Sequence, residues 1–112
     1  MVTRDEIIKL VEEKFKEITR TTPAKVKDFR YQTIIDRDQG ILQLKMFGWR
    51  ERTQVYGILV DMELVGNKLI VHYDGLDPGI IRQLEEKGIP KDQIILGWIH
   101  PEERIYTDYA VA

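Results

Sequence analysis

The sequence predicts an α+β domain: an N-terminal helix, an antiparallel sheet of four to five strands, a second helix and a docked C-terminal segment. Three observations predict it. Residues 3–18 place apolar side chains at helical spacing behind a capping pattern. Residues 29–73 alternate apolar and polar side chains between turn signals. Pro78 and Gly88 then frame a second apolar-periodic stretch.

The first helix starts at a capping box. Thr3 and Glu6 have the T-x-x-E spacing in which the hydroxyl accepts from the backbone N–H of Glu6 and the carboxylate reaches back to Thr3. Helix should therefore begin at Arg4. Ile7, Val11, Phe15 and Ile18, flanked by Ile8 and Leu10, form its apolar face. It should end near Arg20, because the threonines around it favour other conformations and Pro23 disfavours helix in Thr22.

Phe29 to Ile35 is aromatic and β-branched and reads as a strand. Asp36 to Gly40 is a turn, with Gly40 free to take positive φ. The next strand runs from Ile41 to about Trp49, burying Leu42, Leu44 and Met46 on one face. Arg50-Glu51-Arg52 is a polar connector. A hairpin from about Val55 to Tyr73 follows, with Tyr56, Ile58, Val60, Met62 and Leu64 expected on one face and Asp61 and Glu63 on the other. Gly57 leaves a gap in the outward row and marks a bulge or a close contact. Gly66-Asn67 closes the hairpin, glycine first, as a type II′ turn requires.

The second helix should be capped by Asp77, start at Pro78 and stop before Gly88. Ile80, Ile81 and Leu84 give its apolar side. Residues 90–93 read as one helical turn and Ile94-Ile95-Leu96 as a short buried strand. The tail carries Tyr106 and Tyr109 and ends Ala110-Val111-Ala112. An end this apolar is expected to dock on the core or on another subunit, which slightly favours a dimer.

The 112 residues make one domain, with 43% apolar and 32% charged side chains. There is no cysteine, which excludes disulfides, thiolate metal sites and cysteine nucleophiles. No stretch has the run of about 20 apolar residues that a membrane span needs, and no leader is visible, so a cytoplasmic protein is expected. The net charge of −2 gives no global basic field. The charge is nonetheless uneven. From Lys14 to Arg30 six basic residues stand against two acidic ones, a balance of +4; from Asp74 to Ala112 four stand against eight, a balance of −4.

Catalytic patterns are sparse. The chain has no serine, no phosphate-cradling glycine loop and no metal-binding histidine pair. His72, expected to face away from Val71 and Tyr73, and His100, ahead of Pro101, read as structural or surface residues. Asp36, Asp61, Glu63 and Asp74 could hold a metal only if the strand registers brought them together, the requirement of a metal-dependent hydrolase. A nucleic-acid surface has more to build on. Trp49 beside Arg50 and Arg52, together with Lys25, Lys27 and Arg30, supplies stacking planes and phosphate donors. The plainer reading of the same residues is a strand end with aromatic packing and a charged turn.

The run Gly88-Ile89-Pro90-Lys91-Asp92-Gln93-Ile94-Ile95-Leu96-Gly97, then His100-Pro101-Glu102, Arg104, Tyr106-Thr107 and Tyr109 to Ala112, resembles the C-terminal signature of the XisI family. Gln32 to Asp36, Gly48-Trp49, Val55-Tyr56-Gly57 and Asp74-Gly75 resemble the family's other recurrent pieces, in order and nearly end to end. Trp98-Ile99 before His100 departs from the pattern. The resemblance implies a controlling factor for excision of a DNA element in heterocyst-forming cyanobacteria, acting beside a XisH-like protein and a site-specific recombinase. It carries over no catalytic residue, so a non-enzymatic accessory protein without metal or cofactor is expected. The acidic C-terminal half, with Tyr106 and Tyr109, is then the expected protein contact. Any DNA contact falls to Lys14–Arg30 or to Arg50 and Arg52, because phosphates repel the acidic end.

Overall fold

A computed structural model describes residues 1–112. Helix α1, Arg4–Ile18, is followed by strands β1 (Lys27–Asp36), β2 (Ile41–Arg50), β3 (Thr53–Val65) and β4 (Lys68–Asp74). Helix α2 (Ile80–Glu86), a 3₁₀ turn (Lys91–Gln93), strand β5 (Ile94–Leu96) and a second 3₁₀ segment (Pro101–Tyr106) complete the chain. The sheet order is β1-β2-β3-β4-β5. The first four strands are antiparallel neighbours, and β5 lies parallel to β4. That change of direction follows from the connection, since a helix between two strands returns the chain to the sheet end from which it started.

Both helices pack on one face of the sheet. Ile7, Ile8, Val11 and Phe15 of α1 and Ile80, Ile81 and Leu84 of α2 share a single core with Leu42, Leu44, Val60, Met62, Leu64, Leu69, Val71 and Ile94. Each such side chain stabilises the fold by roughly 1.5–3 kcal/mol relative to exposure. The opposite face carries neither α1 nor α2, although Ile95 at its β5 edge is buried outside that core.

The Thr3 hydroxyl accepts from Glu6 N–H at 3.2 Å, as the capping pattern predicts. Arg4 then ties the helix start to the sheet, donating to the carbonyls of Leu64, Gly66 and Arg37 at 3.1, 3.3 and 2.8 Å. The tail docks on its own chain: Ala110 is buried, and its N–H donates to Ile94 O at 2.8 Å along the free edge of β5.

Four expectations from the sequence need correction. The expected stripe along β3 is broken. Leu44 pairs with Val60 but Lys45 pairs with Ile58, so Leu59 is an extra residue. This bulge reverses the side-chain parity. Val60, Met62 and Leu64 face the core, whereas Tyr56 and Ile58 turn to the open face and Gly57 to the core side. A second bulge, at His72, sets Tyr73 opposite Asp61 and leaves His72 within 3.1 Å of Glu63, so His72 and Tyr73 share the open face. Helix α2 begins at Ile80, not at Pro78, with Gly79 at the N-cap position, and the carboxylate that meets its first N–H is that of Asp74, not Asp77. The Asp74 carboxylate accepts from Ile80 N–H at 2.9 Å, because the loop between them folds back on the end of β4. Finally, β1 starts two residues early, at Lys27, through an irregular pairing with Asp28 at φ +53°.

Candidate functional site

Strands β2 and β3 are too long for the helix that covers them. Helix α1 spans about 22 Å, whereas the thirteen residues of β3 reach about 43 Å. The molecule accordingly measures 45 × 28 × 25 Å. Arg4 holds the start of α1 against the turns at one end of the sheet, so the overhang lies at the other end. It forms an arm made of residues 25–31 and 45–58.

Six of the eight residues singled out in the sequence meet on this arm. Lys27 pairs with Trp49 and Arg30 with Phe47 across β1 and β2, while Arg50 pairs with Thr53 and leaves Glu51-Arg52 as the tip of a two-residue turn. Lys25 begins the approach to β1. Gly48 permits the close packing beneath, since a Cβ there would come within 2.6 Å of Val26 Cγ1. The rings and cations interlock on the open face. Phe47 meets Tyr56 edge-on at 5.2 Å, Arg30 lies 5.1 Å over Phe47, and Lys45 lies 5.6 and 5.7 Å over Phe47 and Tyr56. Trp49 and Tyr56 are 45% and 59% exposed, large apolar areas for a monomer surface.

The arm carries six cations, Lys25, Lys27, Arg30, Lys45, Arg50 and Arg52, against Asp28 and Glu51. None of the six lies within ion-pairing distance of a carboxylate, although Lys14, Arg37, Arg82, Lys87 and Lys91 elsewhere all do. All three non-glycine residues with positive φ, Lys25, Asp28 and Glu51, also lie here. Each such residue costs about 1–3 kcal/mol, a strain that concentrates at functional surfaces. Lys45 was not singled out in the sequence; only the register that sets it among Arg30, Phe47 and Tyr56 reveals it.

The expected basic stretch Lys14–Arg30 is not one surface. Lys14 belongs to α1 and pairs with Glu17 at 3.0 Å, while Lys25, Lys27 and Arg30 belong to the arm. Tyr106 and Tyr109 lie apart from it, beyond β5. Tyr106 is 83% exposed. Tyr109 is half-buried, donates to Glu85 at 3.3 Å and sits beneath Lys91 at 5.4 Å. Burial and the Glu85 charge both push its phenol pKa up.

Of the four carboxylates weighed as metal ligands, Asp36, Asp61 and Glu63 share the open face and Asp74 turns toward α2, and each has its own partner. Asp36 binds Gln39 within its turn, Asp61 accepts from Gln43, Glu63 meets His72 and Asp74 caps α2. No three histidine, aspartate or glutamate side chains come close enough together to hold a metal ion. His100 Nδ1 accepts from Glu102 N–H at 3.1 Å and so starts the last 3₁₀ segment. No helix is long and apolar enough to cross a membrane.

The XisI protein family matches residues 1–111. The chain belongs to the XisI family. Two solved structures share its fold. A XisI-like protein from Anabaena variabilis is 25% identical, with a TM-score of 0.72 over 95% of this chain and 99% of its own. The fdxN element excision controlling factor XisI of Anabaena variabilis is 24% identical, with a TM-score of 0.71 over 94% of this XisI-family chain and 95% of its own. No curated protein matches.

Proposed function

We propose that this XisI-family chain is a non-enzymatic controlling factor for excision of a DNA element, acting with a XisH-like protein and a site-specific recombinase. The observation that carries this reading is membership of the XisI family over residues 1–111. The surface agrees with it: conspicuous side chains stand on a projecting arm and an exposed C-terminal segment, as partner contacts do. Ile105 and Tyr106, 64% and 83% exposed beside Glu102, Glu103 and Asp108, are the proposed protein contact. The test is recovery of the XisH-like protein and the recombinase with the tagged chain. Retention that falls with Ile105→Asp supports the reading, and failure to retain either protein refutes it.

The unpaired cations of the arm favour a second reading, direct contact with duplex DNA. Phosphates would meet Lys25, Lys27, Arg50 and Arg52, with Trp49 against a sugar or base. Affinity should then fall steeply with salt, and less steeply for Arg50→Ala with Arg52→Ala. No binding at low salt refutes it.

A further inference from the structure

The open face of the sheet has a polarity that neither the family nor the arm explains. Five rows of its side chains, set by the registers, span at least three strands each. From the arm inward they are Lys27, Trp49 and Gln54; Arg30, Phe47 and Tyr56; Gln32, Lys45 and Ile58; Ile34, Gln43, Asp61 and Tyr73; and Asp36, Ile41, Glu63 and Ile70. Within these five rows every cation lies in the first three and every acid in the last two; Lys68, paired with Val65 one row further on, is the one cation of the face beyond the acids. The Leu59 bulge creates the division. Without it, β3 would carry acid-row parity through and turn Tyr56 and Ile58 inward. Between the two charged halves lie Phe47, Tyr56, Ile58 and Tyr73, the last three 59%, 40% and 53% exposed.

We infer that this face docks a second copy of the same chain, face to face, about a two-fold axis lying across the strands between the third and fourth rows. Such an axis reverses the strand direction and lays each charged half over the opposite half of the other copy. Arg30 then stands over Asp36 of the second copy. Lys45 is offset sideways by one strand spacing, about 4.8 Å, from the second copy's Asp61, within reach of its long side chain. Shifting the contact by one row, or keeping the strands parallel, sets like charges together, which is how charge fixes register and suppresses wrong pairings. The aromatic band supplies the apolar centre. Five rows about 6.8 Å apart over four strands about 4.8 Å apart make roughly 600 Å² per copy. That lies in the lower range of specific interfaces, so the dimer is reversible and dependent on concentration.

The test uses two charge-reversed full-length chains, Arg30→Glu with Lys45→Glu, and Asp36→Lys with Asp61→Lys. Wild-type protein should sediment between monomer and dimer masses as concentration rises. Each variant alone should be at least tenfold weaker in self-association, because position 30 then meets a like charge at position 36 of the second copy, and position 45 one at position 61. Mixed in equal amounts, the two should form a heterodimer, because each half then meets its opposite. Circular dichroism confirms that each variant is folded, and Tyr56→Gln, which keeps the charge rows but spoils the apolar centre, should also be weaker in self-association. A wild-type chain that stays monomeric throughout the range overturns the inference. So do variants that dimerise like wild type, which would place the contact elsewhere, such as the β1 edge. So does a mixture that gains no heterodimer.

Discussion

The amide of Gln93 closes a two-way hydrogen-bond pair with the backbone of Val2: Nε2 donates to Val2 O, and Oε1 accepts from Val2 N–H, both at 2.7 Å. Nε2 also donates to Asn67 O at 2.8 Å. A side chain only 2% exposed therefore fastens the chain start and the β3–β4 turn to the 3₁₀ turn before β5. Gln93→Leu preserves most of the volume and strands three backbone groups. The expected loss is about 2–4 kcal/mol, since buried groups left unpaired incur their full desolvation cost. Thermal unfolding should register it as a fall of roughly 10–20 °C.

Asp74, six residues before α2, is its N-terminal acceptor. Asp74→Ala should destabilise by about 1–2 kcal/mol, and Asp74→Asn, which keeps an acceptor oxygen, by less. Asp77→Ala should stay within about 0.5 kcal/mol, as for ordinary surface positions. Denaturant unfolding of the three variants separates the two aspartates.

Gly40 and Gly66 both adopt positive φ, +69° and +61°, but in different surroundings. A Cβ on Gly40 would strike the Leu64 carbonyl, in a backbone held by Leu64 N–H donating to Gly40 O at 2.7 Å. A Cβ on Gly66 would meet nothing. Gly66→Ala should therefore cost only the left-handed strain of about 1–2 kcal/mol. Gly40→Ala should exceed it by at least about 2 kcal/mol, the usual consequence of a backbone collision in a packed site. Equal losses in denaturant titrations would contradict this.

Glu17 accepts from Lys87 at 2.7 Å and Lys14 at 3.0 Å. Those two contacts, the Lys87 one first, pull its carboxyl pKa from 4.5 down to about 2. A lowered folded pKa means the stabilisation is fully present above pH 4.5 and is lost as pH falls toward 2. The group is exposed, so the effect is small. Glu17→Gln should flatten the acid limb of stability over that interval and leave the neutral limb parallel to wild type. A parallel acid limb would contradict the assignment.

Much of this fold is legible in the residues. The Thr3 cap, the Gly40 turn and the Gly66 hairpin follow from local chemistry that tertiary contacts reinforce. The β3 face is not legible, because Tyr56, Ile58, Val60, Met62 and Leu64 keep an unbroken period of two through the bulge. The extra residue is apolar itself, and the partner strand decides where it falls. Asp74 was obscured for a related reason: Asp77-Pro78 has the local form of a helix start, whereas the carboxylate that arrives is brought by a loop. For the candidate surface, Trp49, Arg50 and Arg52 announce themselves as neighbours in sequence. Their meeting with Lys25, Lys27 and Arg30 depends on β1 pairing with β2, and Lys45 joins them only through register.

We propose above that this XisI-family chain works as a partner-binding factor. Its most direct test is co-purification of the tagged full-length chain with the XisH-like protein and the recombinase expressed beside it, in wild type and in Ile105→Asp with Tyr106→Asp. Wild type should retain at least one of the two in stoichiometric amount, and the double variant, folded by circular dichroism, should lose it. Recovery of the wild-type chain alone, or undiminished retention by the double variant, would contradict the proposal.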